Sequence, residues 1–332
     1  MVTENGSMHF ADYLSVYRDD GEDSWDRHAV VRSKQRVSID ERFDLGRSHL
    51  FSPSLTEFAD HRHVADLGPE AIARVRWGRL SDYLLRTERV EIEIVNRALA
   101  LLLTGFDLPR ASKADLLKIY TDEGYHVLMM SEFGYELQEV TGFKLVRRTF
   151  QDLNDLVSEV NRFSGDDAWL AATTCAIVTE TLISGTLRKA ADEKVFGPVR
   201  AILSDHARDE SYHHASFSRL AKSLIPCLSR RELEVVEYVA PIALHNFLTP
   251  DLKNICEDLT SVGLADSQIE EVTGSLVDPI RSHAALLSAS VATLCAQNRG
   301  NGAERTVPMR IPGSGSRCGH SHIFGVSQRD VP

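Results

Sequence analysis

The sequence predicts an all-α protein, a four-helix bundle with additional C-terminal helices. From about residue 70 to residue 298, almost every stretch of useful length spaces its apolar residues at the helical period. No run alternates apolar and polar residues between hairpin turns. Within those helices a five-residue pattern, Asp-Glu-x-Tyr-His, occurs at Asp122–His126 and again at Asp209–His213. No longer unit repeats, so a bundle fits and a solenoid does not.

Residues 1–70 mix charges, histidines and short apolar pieces without sustained periodicity, which predicts an extended arm with one or two short helices. The first long helix is expected from Pro69 to Leu103. There Leu84, Leu85, Ile92, Val95, Leu99 and Leu102 form one apolar stripe, and Gly105 and Pro109 mark the end. The second is expected over Ser112 to Thr141, with Ser112 as N-cap, Asp115 three residues on, and Gly142 as the stop. A third covers Leu153 to Phe163. A fourth, after Gly165 and two aspartates, covers Trp169 to Val195, and Gly197 and Pro198 separate it from a fifth over Val199 to Leu224. Further helices are expected over Ser229 to Phe247, Pro250 to Ser261 and Ser267 to Gln297, which makes 71–298 the helical domain. Residues 299–332, rich in Gly, Ser and Pro, read as a flexible tail.

Composition narrows the function. The 332 residues are 43% apolar and 26% charged, as in an ordinary water-soluble domain. A net charge of -11 and the lack of a basic stripe exclude binding through phosphate contacts, so no nucleic-acid partner is expected. The start lacks the basic and apolar regions of a secretory signal, and no apolar run is long enough for a membrane span. The expected location is the cytoplasm, with no membrane partner. The five cysteines are scattered without a C-x-x-C pair and read as reduced thiols.

The chemistry lies in the recurring pattern. Glu123/His126 and Glu210/His213 are the chain's E-x-x-H matches. Residues three apart on a helix share a face, so each pair can set a carboxylate and an imidazole on one cation, a donor set suited to iron or manganese. A carboxylate-bridged dimetal site in a four-helix bundle needs such a pair from two helices and one further Glu from each of the other two. On the fourth helix Glu180 is the only acid between Trp169 and Arg188, and a lone carboxylate among apolar neighbours needs a partner. On the first helix Glu91 and Glu88 both fall on the apolar stripe; Glu91 is chosen, with Glu88 in reserve. His206, four residues before Glu210, adds a seventh donor on the same face. Asp122 and Asp209 are expected to accept the outer N–H of the binding imidazoles and so fix their tautomers. Tyr125 and Tyr212 are expected to pack beside the site. No side chain beyond the metal-binding set is expected to act as a general base.

Glu91, the Asp122–His126 pentapeptide, Glu180 and the stretch from His206 to His213 resemble the AurF-like p-aminobenzoate N-oxygenases, with H-x-x-x-E-x-x-H as the specific part. The resemblance spans roughly residues 70–225. It implies a ferritin-like bundle, often a homodimer, with two iron ions that use O2 and an external electron donor, a reductase or small reductant. The implied reaction is oxidation of a small amine to a hydroxylamine or nitro compound in secondary metabolism. It further implies that Glu123 and Glu210 bridge the irons, that His126 and Glu91 bind one, and that His213, Glu180 and His206 bind the other. Two alternatives keep the bundle: a diiron oxidase for C–H hydroxylation, desaturation or oxidative C–C cleavage, and a ferritin-like metal-binding protein without an organic substrate.

Overall fold

Long helices fill the chain from residue 69 onward in a computed structural model that describes residues 22–33, 37–39, 42–45, 47–145, 148–190, 192–274 and 276. The helices are α1 (Glu22–His28), α2 (Val30–Ser33), α3 (Arg62–Ala65), α4 (Pro69–Val90), α5 (Asn96–Gly105), α6 (Arg110–Thr141), α7 (Gln151–Asn161), α8 (Ala168–Ala190), α9 (Gly197–Leu224), α10 (Arg230–Leu248) and α11 (Leu252–Ser261). A π-helical turn, Glu91–Val95, joins α4 to α5, and helix resumes over 266–274. No strand forms among the described residues; an isolated bridge pairs His49 with Val195. The fold is all-α and ferritin-like. No helix among the described residues is long and apolar enough to cross a membrane. The rest of the expected Ser267–Gln297 helix and the 299–332 tail lie outside the described residues.

Three local expectations need correction. The first long helix is not one α-helix: at the π turn the Asn96 N–H bonds back to the Glu91 carbonyl, five residues earlier, which inserts one residue into the turn. Ser112 is not the N-cap of α6, because Pro109, with extended backbone, already ends the preceding loop; Ser112 lies buried in the first turn. The fourth helix stops at Ala190 rather than Val195. The Asp192 carboxylate accepts the Lys194 N–H at 2.8 Å, and the Phe196 N–H then reaches the His49 carbonyl at 2.8 Å. The Gly142 stop is found where the sequence put it. Gly142 ends α6 at φ 73°, where a side chain would be strained. Ser229 and Glu232 form a reciprocal capping box on α10.

The α4–π–α5 rod packs on α6 and α8, α6 touches α9, and α9 packs along α8, closing a four-helix ring. Each wall of the ring carries apolar residues on both sides of a buried polar band. On α6, Leu116 and Ile119 precede Asp122, Glu123 and His126, and Met129, Met130 and Phe133 follow. On α9, Val199, Ile202 and Leu203 precede Asp205 to His213, and Phe217 and Leu220 follow. The two apolar halves are separate clusters, so the polar band lies between them with dry packing above and below. Outside the ring, α10 covers α8 and α7, and α11 lies on α4. The arm packs onto the bundle: Val30, Leu50 and Phe51 join one half of the core, while Phe58, Ala59 and Val64 pack with Ile255 and Leu259.

A buried charge network ties α4 to α11. Asp82 accepts from Arg79 at 2.6 Å, from Asn254 at 3.4 Å, and lies 3.3 Å from Arg148 Nε; Arg148 also pairs with Asp258. Gly78 makes room for that carboxylate, since a Cβ there would lie 2.1 Å from an Asp258 oxygen. Burial, outweighing Arg79 and Arg148, pushes the Asp82 carboxyl up from 3.8 to about 6. The folded protein therefore keeps a proton that the unfolded chain releases, and the Asp82 contribution to stability, full below pH 3.8, is lost as pH rises through 6. Relative to an Asp82→Asn variant, the wild type is expected to lose up to about 3 kcal/mol across that window, at about 1.4 kcal/mol per pKa unit. Denaturant titrations of both proteins over the range check it, and a constant difference rejects it.

Candidate metal centre

Seven of the expected donors meet inside the ring. Glu91 comes from the first residue of the π turn, Glu123 and His126 from α6, Glu180 from α8, and His206, Glu210 and His213 from α9. None is more than 2% exposed. Glu91, His126, His206 and Glu210 place one donor atom each within 4.8 Å of one another, as do Glu123, His126, Glu210 and His213, and again Glu91, Glu123 and Glu180. The π turn begins at Glu91, which is fully buried, whereas Glu88 is only half-buried and outside the cluster. His206 groups with Glu91 and His126, with its Nε2 3.6 Å from Glu91, rather than with His213 and Glu180 as the resemblance divides them.

Each imidazole turns one nitrogen inward and ties the other to an oxygen. His126 Nδ1 lies 3.0 Å from Glu123 and 3.2 Å from Glu210, and its Nε2 lies 3.2 Å from Asp209. His213 Nδ1 lies 2.9 Å from Glu123, and its Nε2 lies 3.2 Å from Asp122. His206 Nε2 lies 3.0 Å from Glu210, and its Nδ1 lies 2.5 Å from the Tyr83 hydroxyl. With the outer nitrogen protonated and donating, the inner one presents a lone pair to the cavity, the tautomer a metal requires. The aspartates work crosswise, since the carboxylate on each E-x-x-H helix holds the histidine of the other.

The electrostatics describe a site short of positive charge. Burial, followed by the charge of Glu123, raises Glu91 well above the carboxylate range; burial, then Glu210, Glu123 and Glu91, does the same to Glu180. Burial also works against ionising Glu123 and Glu210, yet His213 and the other imidazoles prevail, holding Glu123 near about 2 and Glu210 well below its usual value. Burial opposes charging the three imidazoles, but the surrounding carboxylates, preceded at His206 by Tyr83, raise all three well above 6.5. Protons thus do what a cation would do.

The residues fit a dimetal centre. The inward atoms of Glu91, Glu123, Glu180, Glu210, His206 and His213 are buried and meet only one another and His126, most of them outside hydrogen-bond geometry. A cluster so closed on itself is costly unless a cation coordinates it. Two divalent ions would also balance the four carboxylate charges, and mixed oxygen and nitrogen donors suit iron or manganese.

Three groups beside the cluster escape sequence reasoning. Tyr83 lies off the apolar stripe of the first long helix, and no spacing in the sequence marks it. Trp25 Nε1 donates to both Asp122 oxygens at 2.9 and 3.0 Å, and the Val30 N–H reaches Asp209 at 3.2 Å; an aperiodic arm offers no signal for either. Tyr212 does not pack beside the site. It is 45% exposed, because two residues from Glu210 is the opposite helix face, and the half-buried Tyr125 packs into an apolar cluster instead.

A family model described as P-aminobenzoate N-oxygenase AurF matches residues 24–288. No curated protein matches the chain.

Proposed function

Because the chain belongs to the p-aminobenzoate N-oxygenase AurF family, we propose that it is a non-haem diiron oxygenase that uses O2 to oxidise a small aromatic amine to a hydroxylamine or nitro compound in secondary metabolism. The observation that carries this reading is the fully buried set of four carboxylates and three imidazoles whose inward donor atoms converge on one another. Glu91, Glu123, His126, Glu180, His206, Glu210 and His213 would hold two irons. When bound, the iron supplies the redox chemistry that O2 and an amine lack on their own.

The chain's own residues bind, orient and exclude water. Asp122, Asp209 and Tyr83 hold the three imidazoles in the metal-binding tautomer, and the apolar clusters on either side keep the band dry. No side chain needs to act as general base. The helical domain over 71–298 would contain every donor, and a homodimer in the cytoplasm, supplied with electrons by a reductase or small reductant, completes the proposal.

Anaerobic Fe(II) loading followed by desalting tests it. The wild type is expected to retain about two irons per chain, and Glu210→Ala to lose most of them. A folded wild type that retains no iron rejects the reading. Arylamine consumption under O2 by the loaded enzyme then separates an N-oxygenase from a metal-storing relative, which would consume none.

A further inference from the structure

We propose that residues 22–33 form a latch on the metal centre, in which Trp25 and Val30 act as positioning residues and metal retention depends on their docking. This rests on the dimetal reading above. Trp25 grips Asp122, which holds His213; Val30 grips Asp209, which holds His126. One short segment therefore reaches both E-x-x-H helices, each through the aspartate that positions the other's histidine.

The segment has little reason to be helical by itself. Its helices span seven and four residues, well below the length at which an isolated helix persists in water. Asp26, Arg27 and His28 face solvent, whereas Ala29 and Val30, 3% and 1% exposed, and the two polar contacts tie the segment to the bundle. Docking and gripping are thus one event. Asp122 and Asp209 are almost fully buried with the segment in place. Once it lifts, both carboxylates lose a donor and gain access to water, and His126 and His213 lose the hydrogen bonds that fix their rings. Coupling of this kind is reciprocal, so bound metal, by ordering the histidines and aspartates, favours the docked segment in turn.

Trp25→Phe keeps the ring packing and removes the N–H; Asp26→Ala removes only an exposed ion pair with Arg32, 3.4 Å away, and touches neither Asp122 nor Asp209. Protein loaded anaerobically with Fe(II) is mixed with an Fe(II) chelator, and release is followed by absorbance. Trp25→Phe is expected to release iron about 10-fold faster than wild type, within the range for groups that support metal-binding side chains, while Asp26→Ala releases at the wild-type rate. Hydrogen exchange over 22–33 in the wild type is expected to slow on loading. An unaltered release rate in Trp25→Phe, or exchange over 22–33 that ignores the metal, overturns the latch while two retained irons leave the dimetal reading intact. Thermal melting of the metal-free Trp25→Phe at the wild-type midpoint excludes simple misfolding, and a depressed midpoint counts against the latch. A wild type that retains no iron fails at the earlier step and removes both.

Discussion

Leucine in place of Glu180 is expected to stabilise the metal-free protein by about 1–4 kcal/mol while ending binding of at least one iron. Glu180 is 0% exposed, and the charged groups acting on it are the carboxylates of Glu210, Glu123 and Glu91. Burial and those like charges raise its pKa, so in the absence of metal it survives as a neutral acid whose proton is shared with the Glu210 carboxylate. A leucine of similar volume removes the polar group and packs with Ala176 and Leu187 on the same helix. Denaturant unfolding of both metal-free proteins measures the gain, and iron counts measure the loss. Glu180→Gln separates the causes, because the amide removes the charge yet keeps a buried polar group, and should gain less. A metal-free Glu180→Leu less stable than wild type would show that the carboxyl has a stabilising partner.

Fe(II) affinity is expected to fall steeply as pH drops from 8 to 6. Without metal, neighbouring carboxylates, preceded at His206 by Tyr83, overcome burial and hold protons on His126, His206 and His213, while burial and like charge hold protons on Glu91 and Glu180. Coordination requires those nitrogens and oxygens bare, so iron displaces protons, and the raised pKa values make that displacement harder as pH falls. Release of two protons alone would weaken apparent binding about 100-fold per pH unit. Competition against a chelator of known pH dependence, with calorimetry in buffers of different ionisation enthalpy, measures both the slope and the proton count. A flat affinity over the range would mean that the cluster is already deprotonated before metal arrives.

These large effects come from residues that are plain in the sequence. Helical periodicity is local, so apolar spacing along each segment was enough to predict an all-α bundle, and E-x-x-H needs only its own helix to set a carboxylate and an imidazole on one face. Glu180 is legible because an acid in an otherwise uncharged helix needs an explanation, and Asp122 and Asp209 because they adjoin the metal-binding pairs. Ser112 and Val195 show where local signals mislead. Both were bounded by residue type, but the chain's exit from a loop or turn decided the actual ends.

Other features depended on elements meeting in space. Glu88 and Glu91 share one stripe on a straight helix, and only the packing of that helix against α6 and α8 decided that Glu91 is the one that reaches the cluster. The crossed pairing of Asp122 with His213 and Asp209 with His126 requires α6 and α9 side by side, 91 and 83 residues apart in the chain. The grip of Trp25 and Val30 on those aspartates spans 97 and 179 residues. The sequence by itself determined the helices and the donors each one carries, because spacing along one helix decides what that helix presents. Only the tertiary structure decided which donors face one another and what closes over them, because contacts between distant segments follow from how whole helices pack and not from any local period.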